Sequence, residues 1–194
     1  MIERFGQNTG LLLIDCQYGV DDLKHWGGDA GERNNPGAEQ EMAKLLDAFR
    51  VRGRRVFYTT HDSLEERSPL KLRLPGGRIK KELTPRDGEI VIRKQVNSGF
   101  IGTDLELWLR RCGVTRIVTV GFFTNMCVST TVRMSGNLGF DTYCVSDATS
   151  CCNRIGHDGT NYPSELVHMT SLASLDREFC TVINSSRVLE LLES

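Results

Sequence analysis

Residues 116–131, Arg-Ile-Val-Thr-Val-Gly-Phe-Phe-Thr-Asn-Met-Cys-Val-Ser-Thr-Thr, run from a β-branched apolar stretch through Gly121 into Thr124 and Asn125, residue types that open helices. A strand that hands over directly to a helix is the repeating unit of a parallel α/β sheet, and such sheets collect chemistry at the carboxyl ends of their strands. Working outward, similar apolar runs recur at 11–16, 55–60, 89–93, 140–146 and 179–184, which with 116–121 predict six strands. Most of these runs are continuously apolar and do not alternate, so they are expected to be buried on both faces, as in a parallel sheet covered by helices.

Helix signals fill the intervals. Asn35 as cap, Pro36 at the first helical position and Gly53 as stop frame an amphipathic run over 39–52. Thr103 and Glu106 form a capping-box pattern ahead of a helix closed by Gly113. Further helices are expected from Thr124, over 164–178 and over 186–192, whereas 61–88, with Pro69, Pro75, Gly76, Gly77 and Pro85, reads as a long irregular loop over the site.

The chain of 194 residues is long enough for one domain with a real core, here expected to span 1–194. A net charge of -1 excludes a strong attraction to polyanions, so nucleic acid is not an expected partner. Residues 1–10 lack the apolar core of a signal peptide, and no apolar run reaches membrane-spanning length. The seven cysteines are odd in number and lie mostly in apolar segments, which predicts a reducing, cytoplasmic setting, and their spacing offers no structural zinc site.

Three residues can carry chemistry. Cys127 falls in the first turn of the helix after the 116–121 strand, where the helix dipole and free backbone N–H groups can lower a thiol pKa from about 8.5 to about 3.5–7.5. It can equally be a small buried hydrophobe. Asp15 follows four apolar residues at the carboxyl end of the first strand, where it is either a general base or a loop-capping carboxylate. Lys94 closes the third strand and can carry an ammonium toward both, although a solvated strand end, or Arg93 in its place, fits as well.

The segments Asp15-Cys-Gln17, residues 93–110 (RKQVNSGFIGTDLELWLR) and residues 120–149 (VGFFTNMCVSTTVRMSGNLGFDTYCVSDAT) together resemble the isochorismatase-like cysteine hydrolases over nearly the whole chain. The resemblance implies an α/β three-layer αβα sandwich around a six-stranded parallel sheet of order 3-2-1-4-5-6. It implies a catalytic triad of Asp15, Lys94 and Cys127, a cis peptide between Phe122 and Phe123, and an oxyanion hole made by the N–H groups of Phe123 and Cys127, donors placed where charge develops. Position 123 is usually smaller in that family, so the pocket here departs from the family pattern. Substrate contacts are expected from Gln17, His61, Phe100 and Phe122, and assembly as a homodimer or homotetramer is implied.

Nicotinamide-hydrolysing relatives carry Asp-x-His and further histidines after the second strand, whereas here the chain reads Tyr58-Thr-Thr-His61-Asp62-Ser63. His61 and Asp62 without a third ligand predict no metal and no cofactor. His168 is expected to be a packing residue, and Asp147 to fix its own loop through backbone hydrogen bonds.

The resemblance and the triad predict a small-molecule hydrolase in which Asp15 takes the thiol proton and Cys127 attacks an amide, cyclic amide or carbamoyl carbonyl to form a thioester. The Ser-Pro-Leu string, the NSGFIGTDLE segment and the shortened metal region point to the metal-free amidase branch, near streptothricin-type hydrolases. Two alternatives stand beside it: vinyl ether hydrolysis of the isochorismatase type, which needs no cysteine nucleophile, and a catalytically silent homologue in which Cys127 and neighbouring thiols, Cys151 and Cys152 among them, serve as sensors.

Overall fold

A computed structural model describes residues 3–193, so Met1 and Ile2 of the amino-terminal reading, and Ser194 at the other limit of the expected domain, lie outside the described residues. The central sheet has six strands, all parallel, in the order β3-β2-β1-β4-β5-β8. They are β1 (Thr9–Ile14), β2 (Val56–His61), β3 (Ile90–Lys94), β4 (Arg116–Phe122), β5 (Asp141–Ser150) and β8 (Thr181–Ile183). This is the expected order, with the sixth sheet strand numbered β8 because a short antiparallel hairpin, β6 (Arg154–Ile155) with β7 (Asn161–Tyr162), precedes it.

Alternate residues of the central strands feed two apolar layers, because successive side chains leave a strand on opposite faces. Leu11, Leu13, Val118, Val120 and Val145 pack with Met42, Leu45, Leu46 and Phe49 of α2 (Ala38–Val51) and with Val188, Leu191 and Leu192 of α6 (Ser185–Glu193). Leu12, Ile14, Ile117 and Cys144 pack with Leu105 and Leu109 of α3 (Leu105–Arg111), Val132 of α4 (Ser129–Asn137) and Leu172 and Leu175 of α5 (Ser164–Leu175). All six residues of β1 are buried, as the unbroken apolar run required. Each fully buried Leu or Ile contributes about 1.5–3 kcal/mol. No helix among the described residues is long and apolar enough to cross a membrane.

Several element ends differ from expectation. The α2 helix starts at Ala38 with Gly37 at its cap. Asn35 instead takes a positive φ of 44° and donates from Nδ2 to the carbonyls of Ser146 and Thr149. The Thr103 hydroxyl binds Gly99 O and accepts from Leu105 N, so the capping box does not form. A short helix, α1 (Leu23–Gly27), was not foreseen, and α5 stops three residues early, at Leu175. The 61–88 segment is irregular beyond the end of β2 apart from single 3-10 turns at Pro75–Gly77 and Lys81–Leu83. Asp147 accepts from the N–H and hydroxyl of Ser185, which ties its strand to the start of α6.

The point where β1 and β4 release the chain toward the site is crowded. Ile14 pairs with Gly121, whose φ is 124°, and a methyl on Gly121 would run into the backbone of Ile14. Only glycine meets both demands. Gly121→Ala is therefore expected to destabilise the fold by about 3 kcal/mol or more in urea unfolding, against about 1–2 kcal/mol for Gly88→Ala, where the φ of 86° is strained but the added carbon meets nothing.

Candidate active site

Four side chains converge at the carboxyl edge of the sheet. Asp15 immediately follows β1 in a left-handed conformation, φ 52°, while His61 is the last residue of β2 and Lys94 the last of β3. Cys127 lies in the single π-turn Thr124–Val128 that links β4 to α4. Neither Thr124 nor Asn125 caps this turn; Phe123 occupies the cap position without a side-chain bond, and the Phe122–Phe123 peptide is cis. The turn is held from behind, since the hydroxyl of Thr124 lies 2.9 Å from Nδ1 of buried His168, and His168 Nε2 lies 3.1 Å from Ser146 O.

Lys94 is the hub. Its Nζ is 2.6 Å from Asp15 Oδ2, 2.9 Å from His61 Nδ1, 3.1 Å from Val96 O and 3.3 Å from Cys127 Sγ. Asp15 and Lys94 are only 1% and 2% exposed, so the pair is held almost wholly out of water. The second carboxylate oxygen, Oδ1, accepts from the Thr59 hydroxyl at 2.7 Å. Burial by itself raises the Asp15 pKa, but the Lys94 ammonium, helped by the neighbouring His61 ring and the bond from Thr59, outweighs it and holds the carboxyl below its ordinary 3.8.

Cys127 reverses the expectation from the helix dipole. Burial first, and the Asp15 carboxylate second, push its thiol well above the ordinary value, with Lys94 opposing only in part. The resting side chain is a thiol, because the sulfur sits beside a carboxylate in a dry site.

Asp15, His61 and Cys127 form the floor of a cavity of about 390 Å³, and the Lys94 ammonium lies sealed beneath them. Phe122 and Phe123 make one wall and Trp26 another, with the Trp26 and Phe123 rings edge to face at 5.0 Å and the indole N–H donated to Gly19 O. Of the expected substrate contacts, His61 and Phe122 do line the cavity. Gln17 does not: it is fully buried and its amide accepts from His61 N and donates to His61 O, so it clamps that backbone. Phe100 does not line it either, because its ring stacks on Phe140 at 6.1 Å in the second apolar layer. Phe123 and Cys127, the expected oxyanion donors, both border the cavity.

Asp62 turns away, to the Arg93 guanidinium and Leu72 N. The third donor that the sequence did not supply beside His61 comes from elsewhere, since ligand atoms of Asp15, His61 and Cys127 lie within 4.8 Å of one another. Lys94 Nζ already stands among these atoms, so a divalent ion there would have to displace an ammonium from its own counter-charge.

An isochorismatase domain matches residues 9–186. The chain belongs to the isochorismatase family. It is 41% identical over 183 residues to the isochorismatase family protein YrdC of Bacillus subtilis, covering 94% of this chain and 95% of that protein. Ureidoacrylate amidohydrolase RutB of Klebsiella pneumoniae is 39% identical over 144 residues, 73% of this chain and 53% of that one. An isochorismatase-family structure from Chromobacterium violaceum superposes with a TM-score of 0.91 at 43% identity, covering 98% of this chain and 96% of that one.

This isochorismatase-family hydrolase also uses residues that sequence reading missed. Trp26, Gln95, Asn97 and Arg154 border the cavity. Trp26 follows from no periodic pattern, and Arg154 reaches the site only through the unforeseen hairpin. Lys80, from the long segment after β2, is buried against Asp21 and Glu39.

Removing one partner of a buried pair strands the other charge. Lys94→Met is expected to lower the unfolding free energy at neutral pH by about 3–5 kcal/mol, and adding Asp15→Asn should restore much of it, read by urea denaturation. Because the folded Asp15 pKa lies below 3.8, its contribution is complete above that pH and lost as pH falls through the folded value. The gap between the native chain and the double variant should therefore stay flat near neutrality and close only in acid. Cys127 should likewise show no thiolate absorbance step through neutral pH.

Proposed function

We propose that this hydrolase cleaves a C–N bond, in an amide, cyclic amide or carbamoyl compound, through a thioester on Cys127. The observation that carries this reading is the single buried ammonium of Lys94 in contact with both the Asp15 carboxylate, at 2.6 Å, and the Cys127 sulfur, at 3.3 Å, two groups that line the cavity. As the thiol proton passes to Asp15, the carboxylate loses its charge and sulfur gains one. The same ammonium then balances the thiolate, so the charge moves across the buried site without being left unpaired.

Sulfur attacks the carbonyl carbon, the S–C bond forms, and the carbonyl electron pair moves onto oxygen beside the N–H groups of Phe123 and Cys127. The C–N bond breaks as protonated Asp15 returns its proton to the leaving nitrogen. Water, deprotonated by the same carboxylate, then releases the acid and restores the thiol. Similarity to an amidohydrolase of the RutB type supports C–N over vinyl ether chemistry. The thiol-sensor alternative is weakened by Cys151 and Cys152, both buried, with pKa values pushed up to about 12 and about 11 by burial. All seven cysteines are unpaired, which supports a reducing, cytoplasmic setting.

Amine or ammonia release from a panel of amides, lactams and carbamoyl compounds, with isochorismate alongside, tests the reading. Turnover should fall about 10³-fold or more in Cys127→Ala and persist in the presence of a chelator. Isochorismate turnover that survives in the variant would reject it.

A further inference from the structure

The mechanism leaves one group on the cavity floor without a role, the imidazole of His61. Its Nδ1 is 2.9 Å from Lys94 Nζ and 3.6 Å from both Asp15 Oδ2 and Cys127 Sγ. An ammonium has three N–H donors and no acceptor, so a bond at 2.9 Å requires Nδ1 to present its lone pair. The ring proton must then sit on Nε2.

Among the described residues no partner meets Nε2, and the atom is not sealed from solvent. His61 borders the cavity with 11% of its side chain exposed. The ring cannot swing to another arrangement easily, because Gln17 holds both the N–H and the carbonyl of the same residue, at 2.7 and 3.0 Å. On the same floor, Asp15 has both oxygens engaged, by Thr59 and Lys94. The remaining lining carboxylate, Glu65, sits on the exposed turn at the mouth, as does the Arg154 guanidinium on its hairpin. On that floor the His61 N–H is thus a donor left for a substrate to meet.

We infer that Lys94 fixes His61 as a donor-only imidazole, and that its Nε2–H holds a second oxygen acceptor of the substrate next to the scissile carbonyl. This rests on the amide-hydrolase reading for its substrate and deepens it: the preferred compounds are amides or carbamoyl compounds carrying a further carbonyl or carboxylate oxygen a few bonds from the reacting carbon. An amide without that oxygen leaves the N–H unpaired in a partly dry site, which is the strongest form of discrimination a polar pocket has. The same geometry denies His61 the part of general base, since its only lone pair is taken by Lys94.

Two measurements test it. In the nitrogen NMR spectrum of histidine-labelled protein, the His61 signal, assigned by its loss in His61→Gln, should show the Nε2-protonated neutral ring; an Nδ1-protonated ring overturns the inference. In steady-state kinetics on two amides that differ only in the second oxygen, His61→Leu should raise KM for the oxygen-bearing one by about tenfold or more beyond any change it makes in the other, while His61→Gln, which keeps a donor, recovers most of that difference. Comparing a carbonyl-bearing with a carboxylate-bearing compound tells which oxygen is preferred. Equal losses on both amides, or none, overturn the inference. If the native protein cleaves no amide at all, it is the amide reading that fails, and the nitrogen spectrum still decides the state of His61.

Discussion

An ion pair withdrawn from water governs this molecule. Asp15 and Lys94 stand at the ends of β1 and β3, two strands apart, and their contact spans β2 between them. Desolvation of both charges is repaid only if the geometry is kept, so the sheet register, the left-handed backbone at Asp15 and the Thr59 hydroxyl all serve one distance. Around that pair the rest of the site is arranged by default: Cys127 takes the side of the ammonium left open, and His61 the other.

The pair also explains why the thiol rests protonated. A helix start beside a strand end offers positive potential, and from sequence alone that argues for a thiolate. The fold adds a carboxylate on the same floor and removes water, and these two effects outweigh the pull of the Lys94 ammonium. In the proposed mechanism the reactive sulfur forms as its proton moves to Asp15.

The parallel sheet was legible because continuous apolar runs such as 11–14 suit strands covered on both sides, while the strand order came from the family resemblance. That Asp15, Lys94 and Cys127 meet was legible from the same resemblance, supported by the place of Asp15 and Lys94 at strand ends. What escaped reading was settled by tertiary contacts. Gln17 lies next to the triad segment yet points into the backbone of His61, and Phe100 is drawn to Phe140. Trp26 and Arg154 reach the cavity from a one-turn helix and a two-residue hairpin too short to carry any periodicity. His61 was legible as a pocket residue, but its hydrogen-bonding state depends on a lysine 33 positions away.

The covalent step is the centre of this account, and it is most directly read by mass. Acid quench of the native protein during turnover of a good amide, followed by peptide mapping, should find the acyl group on Cys127, and more of it when deacylation is slowed in Asp15→Asn with an activated ester as donor. Turnover with no acyl mass on Cys127, or an acyl group carried on another residue, would contradict it.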